Sequence, residues 1–446
     1  MRRAGGLPPG PRLPGIVQTL WWAVSPVHFG TTCVKRYGPV FTARILGFGP
    51  VVHVCSPEGI RRILLEEAAE FDAAAANRVI DFVVGERSLL MSEGEAHTTR
   101  RRQLSRPLHG ANVAGYVELM ERIIEREVRS WEVGSRVRLH ECFQRVTLEV
   151  MLRAVFGVTD SARLDRLRVL VPKLLDLNPL IVLLPAARRS FGGIGPWVRF
   201  KRIIDEVDVI IRGEIADRRA SGERGGSDVL SVLLADSDAA GAGDDELRDH
   251  LVTVLAVGQE TTATQLAWFF ERLLRHPATL ADVRAAVTEG DEQVLDAAVH
   301  EAMRARPTTL DVGRVNRRPW SVGGYEVPAG TLFAVSIGLM HLSADQHDRP
   351  DEYRIERFHP APPPSTHFVP FGGGVHRCLG ASLAMVEMRT VISSILRHVS
   401  FALPRPEPER VAPKGPMLVP GRGTEVWVVT NRLAGAGKQS AIRVTS

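Results

Sequence analysis

The sequence predicts a mainly α protein with a small β-rich region, an α+β chain built as one large unit within its 446 residues. Three observations carry this expectation. From about Glu118 onward apolar residues recur with the helical period. Between Asp244 and Pro277 the chain bears the start and stop signals of one long helix. Near the beginning, two short apolar runs punctuated by Gly and Pro read as strands.

The elements follow in order. Residues 1–15 are basic and proline-rich and lack the apolar stretch of a signal peptide or membrane anchor. Residues 16–24, with Trp21 and Trp22, are the best candidate for membrane contact, yet they are far too short to span a bilayer and read as the opening of a first amphipathic helix. The runs 40–46 and 51–54 supply a small sheet. Residues 178–196 interrupt the helical pattern with Pro179, Pro185, Gly192, Gly193, Gly195 and Pro196 around an apolar run at 180–184, which predicts a mobile connection between helices. The Gly, Ser and Asp-rich stretch 221–245 contains a short helix near 229–234. After residue 433 the pattern fails, so the working unit is expected at 16–433, with a disordered tail at 434–446.

The long helix opens on Asp244, Asp245 and Glu246 and closes on Arg272, Arg275 and His276 before Pro277, charges that complement its dipole. At a rise of about 1.5 Å per residue it would be on the order of 45 Å long and could cross a whole domain. Its middle breaks the helical rules. Gly258 costs roughly 1 kcal/mol relative to alanine there, and Glu260, Thr261 and Thr262 put polar groups among Val254, Leu255, Ala256, Val257, Leu266 and Phe269. Violations of this kind mark sites.

Composition excludes several classes of function. The net charge is +5, but the arginines are spread along the chain without aromatic interleaving, which argues against nucleic acid. Cys33, Cys55, Cys142 and Cys378 show no paired spacing, so neither a disulfide framework nor a zinc or iron–sulfur site is expected, and a reducing cytoplasm fits. There is no phosphate loop and no dinucleotide fingerprint. His300-Glu301 begins like a zinc-protease helix, but Arg304 stands at the second ligand position.

The chemistry concentrates in Phe371-Gly372-Gly373-Gly374-Val375-His376-Arg377-Cys378-Leu379-Gly380, which presents one cysteine in a glycine-rich bend ahead of a helix beginning at Ala381. Glycines allow positive φ and close approach to a flat ligand, and amides at the helix start favour a thiolate. A haem iron is the natural recipient. This string resembles the haem-binding signature of the cytochrome P450 family of haem-thiolate monooxygenases. The segment Val257-Gly258-Gln259-Glu260-Thr261-Thr262 resembles that family's oxygen-activation motif, with Val257 in place of the usual alanine. The motifs occur in the expected order, and the similarity extends from about residue 8 to 428.

The resemblance implies the P450 fold, with the long central helix across haem b, and a role for each matching residue. Cys378 would ligate the iron, Phe371 would pack against the sulfur, and Gly374 and Gly380 would shape the loop. His376, with Arg377 next to it as the alternative, would reach a haem propionate, as would His97, Arg101 and Arg314. Glu260 and Thr261 would form the acid–alcohol pair that delivers protons during oxygen activation. Glu301, Arg304 and Arg357 would form a buried triad that locks the architecture, Ile355 standing where the family has proline. The implied activity is insertion of one atom of dioxygen into an apolar small molecule (a lipid, terpenoid, steroid or polyketide), with electrons from a separate ferredoxin and ferredoxin reductase. Arg100, Arg101, Arg102, Arg106, Arg377 and Arg389 are candidates for the landing site of an acidic electron carrier. A peroxide-driven peroxygenase and a non-catalytic haem-binding or recruitment module are the alternatives; retention of Glu260 and Thr261 argues against the first, and retention of these groups and of Cys378 against the second. Pocket walls are expected at residues 78–91, 174–194, 254–261, 308–312 and 417–418.

Overall fold

The structure is a computed structural model and describes residues 6–157, 162–189, 193–222, 226, 228–240, 243–364 and 366–434. The expected tail, from residue 435 on, lies outside the described residues.

Helices dominate, and among the described residues four small sheets accompany them. The largest has five strands, ordered Val40–Ile45, Gly49–Val54, Leu332–Val335, Val312–Asn316 and Phe71–Asp72. The first two form the predicted antiparallel hairpin, with Val40 opposite Val54 and Ile45 opposite Gly49. Residues Gly49–Val54 then pair in parallel with Leu332–Val335, so the sheet is closed by a strand almost three hundred residues away. The proline-rich start is not loose. The Thr42 amide donates to the Pro9 carbonyl at 3.0 Å, and a Cβ at Gly10 would stand 1.8 Å from the Thr42 oxygen, so only glycine lets the two backbones meet this closely.

The first helix, Gly15–Val24, reverses the usual amphipathic sense: Gln18 and Thr19 are buried while Ile16, Val17, Leu20 and Val24 are exposed. The sequence expectation of a helix holds there, and the side that faces the protein carries polar Gln18 and Thr19 together with Trp21 and Trp22, which pack against the core. Residues 178–196 contain a short helix, Pro179–Leu183, and a single turn, Pro185–Ala187. The helix expected near 229–234 runs further, as Val229–Ala240.

The long helix is Asp244–Leu273. Pro277 does not stop it; the chain turns at Arg275 and His276, and Pro277 opens the next helix, Pro277–Glu289, at a position where its missing N–H costs nothing. The long helix packs along helix Leu139–Phe156 and also touches Glu292–Ala305 and Ala381–His398. That enclosure buries the helix on nearly every side, its polar residues Arg248, Asp249, His250, Gln259, Glu260 and Glu271 included. Its middle is continuous, so the rule-breaking residues do not open the backbone. Gly258 has a packing cause instead: a Cβ there would lie 2.7 Å from the Met151 methyl of the neighbouring helix.

Glu301, Arg304 and Arg357 meet as expected. Arg304 Nε and Nη2 donate to the two Glu301 oxygens at 2.7 and 2.8 Å, and Arg357 Nε donates to Glu301 Oε1 at 3.3 Å. Arg304 is fully buried and also donates to the carbonyls of His341, Pro350 and Glu352, which ties the helix Glu292–Ala305 to the meander that leads to Cys378. Nearly every donor of a buried guanidinium is thereby satisfied, the condition under which such a group is tolerated.

Candidate functional site

The cysteine loop is built by close backbone contact. Gly372 and Gly374 have φ of +68° and +66°, a region that side chains rarely adopt. At Gly374 a Cβ would stand 2.0 Å from the Leu64 carbonyl oxygen, so the loop is pressed against the segment Arg62–Glu66. The Cys378 amide donates to the Phe371 carbonyl at 2.8 Å, which closes the bend. Cys378 alone of the four cysteines is exposed, and yet burial by the surrounding protein pushes its thiol pKa up. Opposing that burial are the Gly380 amide and the charges of Arg377 and Arg101.

Beside the loop lies a cluster of basic residues. The rings of His97 and His376 are 4.2 Å apart, and the field of Arg101 and Arg314 reaches His97. Burial, then His376 and Arg101, lowers the His97 pKa to about 4. Arg314 is buried, its Nη1 donating only to its own neighbour's carbonyl, Gly313 O, at 2.7 Å. Among the described residues neither Arg314 nor Arg101 forms an ion pair with a carboxylate. The acid in the cluster is Glu93, 3.4 Å from His376 Nε2; it also accepts the Ala73 and Ala74 amides, and although burial opposes ionisation these bonds bring its pKa down to about 2. Arg377 stands apart, its guanidinium 5.8 Å from the centre of the Phe371 ring. Of the two basic neighbours of Cys378, His376 joins the cluster.

Leu65, packed against the cysteine loop, and Val375, within it, are exposed, as are Val257 and Thr261 one turn apart on a helix that is otherwise covered by protein from Leu247 on save at half-buried Gly258. Apolar walls, a thiol and two arginines short of counter-charge are what haem requires: a broad apolar disc with two carboxylates at one edge and an iron that takes a sulfur ligand. The residues present fit the group.

Thr261 Oγ1 donates to the Val257 carbonyl at 3.1 Å, the ordinary back-bond of a helical threonine, which leaves its lone pairs free on the open side. Glu260 faces elsewhere. Its carboxylate is buried, accepting from Gln144 Nε2 at 2.7 Å and from Lys414 Nζ at 3.0 Å, with His140 Nε2 at 3.3 Å. Burial would raise its pKa, but the His140 hydrogen bond, the Lys414 charge and the Gln144 amide outweigh it and hold the group at about 2. His140 also contacts Thr264 Oγ1 at 3.1 Å. Such a carboxylate is an acceptor fed by two cationic or titratable donors, one of them, Lys414, partly open to solvent.

Sequence reading missed Glu93 and the three partners of Glu260. His140 and Gln144 were visible as polar residues four apart in an apolar helix; Lys414, 154 positions from Glu260, carried no local signal. The proposed arginine landing patch is smaller than its sequence suggests, since Arg100 pairs with Glu246, Arg106 with Asp236 and Arg389 with Asp296 and Glu292.

The fold and this site define a haem-thiolate protein. The model of the cytochrome P450 family matches residues 8–426, and the chain belongs to that family. A Mycobacterium tuberculosis protein carrying the name cytochrome P450 135B1 is 38% identical over 444 residues, covering 98% of this chain and 94% of its own length. One from Mycobacterium bovis, named cytochrome P450 138, is 34% identical over 428 residues, with 94% of this chain and 96% of that protein covered. Among solved structures, cyanobacterial CYP120A1 with retinoic acid bound aligns with a TM-score of 0.82 at 22% identity, covering 96% of this chain and 100% of that one. The P450DA haem domain aligns at 0.80, also at 22% identity, covering 96% and 98%. The chain is thus an oxidoreductase of the monooxygenase type with haem as its cofactor. No helix among the described residues is long and apolar enough to cross a membrane.

Proposed function

We propose that Cys378 supplies the thiolate that holds the haem iron, and that the enzyme inserts one oxygen atom into an apolar small molecule of the lipid, terpenoid, steroid or polyketide kind. The observation that carries this reading is the cysteine loop beside Arg101 and Arg314, neither of which forms an ion pair with a carboxylate among the described residues. His97, Arg101, Arg314 and His376 are the propionate partners; Phe371, Gly374 and Gly380 shape the loop; Glu301, Arg304 and Arg357 hold the unit at 16–433 together. When bound through sulfur, haem supplies an electron-rich iron at which dioxygen is activated.

The chain's own residues handle water and protons. Thr261 Oγ1 would hold an ordered water on the open side of the helix. Glu260 is the relay for protons from solvent: Lys414 Nζ, His140 Nε2 and Gln144 Nε2 hold it ionised, and its fixed negative charge would orient the waters that carry protons inward. Electrons come in the cytoplasm from a separate ferredoxin and ferredoxin reductase, with exposed Arg102 and Arg377 as the steering charges that remain unpaired.

The test is Cys378→Ser. The reduced carbonyl form of the parent should show a strongly red-shifted Soret band, and the variant should lose that band while keeping its helical far-ultraviolet spectrum. Survival of the band would remove Cys378 as the ligand. A spectral-shift screen of the purified parent against apolar molecules then identifies the substrate class.

A further inference from the structure

A row of polar groups crosses one face of the five-stranded sheet. Asp311 and Ser336 flank the pair Val312 and Val335, where the strands Val312–Asn316 and Leu332–Val335 run antiparallel, and their side chains meet: the Ser336 hydroxyl donates to Asp311 Oδ1. A hydroxyl has one proton to give, so its oxygen is left to accept, and His53 Nδ1 lies 3.1 Å from it. His53 is 4% exposed and stacked at 4.6 Å on Phe41, and its Nε2 has no hydrogen-bond partner among the described residues. The row therefore fixes Asp311 Oδ1 from within the protein and ends at that carboxylate. Among the described residues no Arg or Lys pairs with Asp311; its one basic contact is His53 Nδ1 at 3.7 Å, which Ser336 already engages. A carboxylate inside protein without a cation is costly, and Oδ2 accepts no hydrogen bond among the described residues.

Asp311 stands in the wall expected at residues 308–312. Leu310 is buried, whereas Thr309 is exposed and the Asp311 side chain stays 23% open, the alternation of an extended chain with one open side. Three of the expected walls converge there. The Leu418 amide donates to the Thr308 carbonyl at 2.7 Å, and a Cβ at Gly313 would stand 2.9 Å from Ala76 Cβ, on the helix that leads into residues 78–91. Apolar pockets orient their ligands by a few placed polar groups. Here the placed group is an anion with one oxygen held and the other free. We propose, resting on the haem-thiolate reading for the pocket itself, that Asp311 is its specificity-determining residue and that the substrate is an apolar molecule bearing one cationic nitrogen, which this carboxylate holds.

The experiment measures binding of decyltrimethylammonium, decanol and decanoate to the haem-loaded protein, by calorimetry and by the shift of the Soret band. A quaternary nitrogen cannot ligate iron, so a preference for it reports charge. The cationic chain should bind about tenfold more tightly than the alcohol, and the carboxylate most weakly. Asp311→Asn should erase this ranking while keeping the red-shifted Soret band of the reduced carbonyl form. Ser336→Ala, which frees the carboxylate to turn, should weaken cation binding by about threefold. Equal or tighter binding of the alcohol or the carboxylate by the parent would overturn the proposal. Absence of binding by the ammonium chain would do the same, as would an unchanged preference in Asp311→Asn. Loss of the red-shifted band in the parent would instead overturn the haem-thiolate reading, and calorimetry, which does not depend on the sulfur ligand, would still read the preference set by Asp311.

Discussion

Two glycines in the cysteine loop form a matched pair that separates backbone strain from steric contact. Gly372 and Gly374 have nearly the same positive φ, +68° and +66°, so alanine at either should cost about 1–2 kcal/mol for the left-handed conformation. They differ in surroundings. Nothing lies within 4 Å of a Cβ at Gly372, whereas at Gly374 the added carbon would be 2.0 Å from the Leu64 carbonyl oxygen, about an ångström inside the closest real contacts. That oxygen is backbone and cannot rotate aside, so the loop or the segment Arg62–Glu66 must move, and a forced shift of packed structure costs roughly a further 1–3 kcal/mol. Gly374→Ala should therefore be less stable than Gly372→Ala by about that increment. Urea midpoints at fixed slope measure it, and the ratio of Soret to protein absorbance after purification reports whether the displaced loop still retains haem. Equal midpoints for the two variants would refute the claim that close contact with Leu64 positions the cysteine loop.

Arg304→Ala should lower stability by about 3–5 kcal/mol, since it strands the Glu301 carboxylate and unties three carbonyls, and a calorimetric melt would register the loss. Glu260 has a depressed pKa, about 2 against an ordinary 4.5, so its contribution to stability is present above pH 4.5 and is lost as pH falls toward 2. Glu260→Gln should consequently flatten the acid limb of the stability curve by on the order of 2–3 kcal/mol, read from urea midpoints at neutral pH and in that acid window. Thr261→Ala should retain haem and substrate binding while diverting reducing equivalents to hydrogen peroxide; full coupling of electrons to product would remove Thr261 from proton handling.

Much of the site was legible because its signals are local. The ten residues ending at Gly380 contain their own turn chemistry, and Glu301 and Arg304 sit three apart on one helix, so spacing alone puts them on one face. The long helix could be read from its terminal charges, although Pro277 was taken as its stop when it begins the next helix. Of the partners of Glu260, Lys414 could not be read at all, because it arrives on a hairpin from the far end of the chain.

By itself the sequence determined which residues can do chemistry and in what order they come, since glycine tolerance, helix period and charge placement act over a few residues. Tertiary structure decided what each of them meets. Packing, not backbone opening, explains Gly258; His376 rather than Arg377 joins the basic cluster; and Glu260 is held ionised inside a cage of groups that only the fold brings together. The first helix shows the division most plainly, because its periodicity predicts a helix but not which side faces inward: hydrogen bonds from Gln18 and Thr19 to the neighbouring strand decide that.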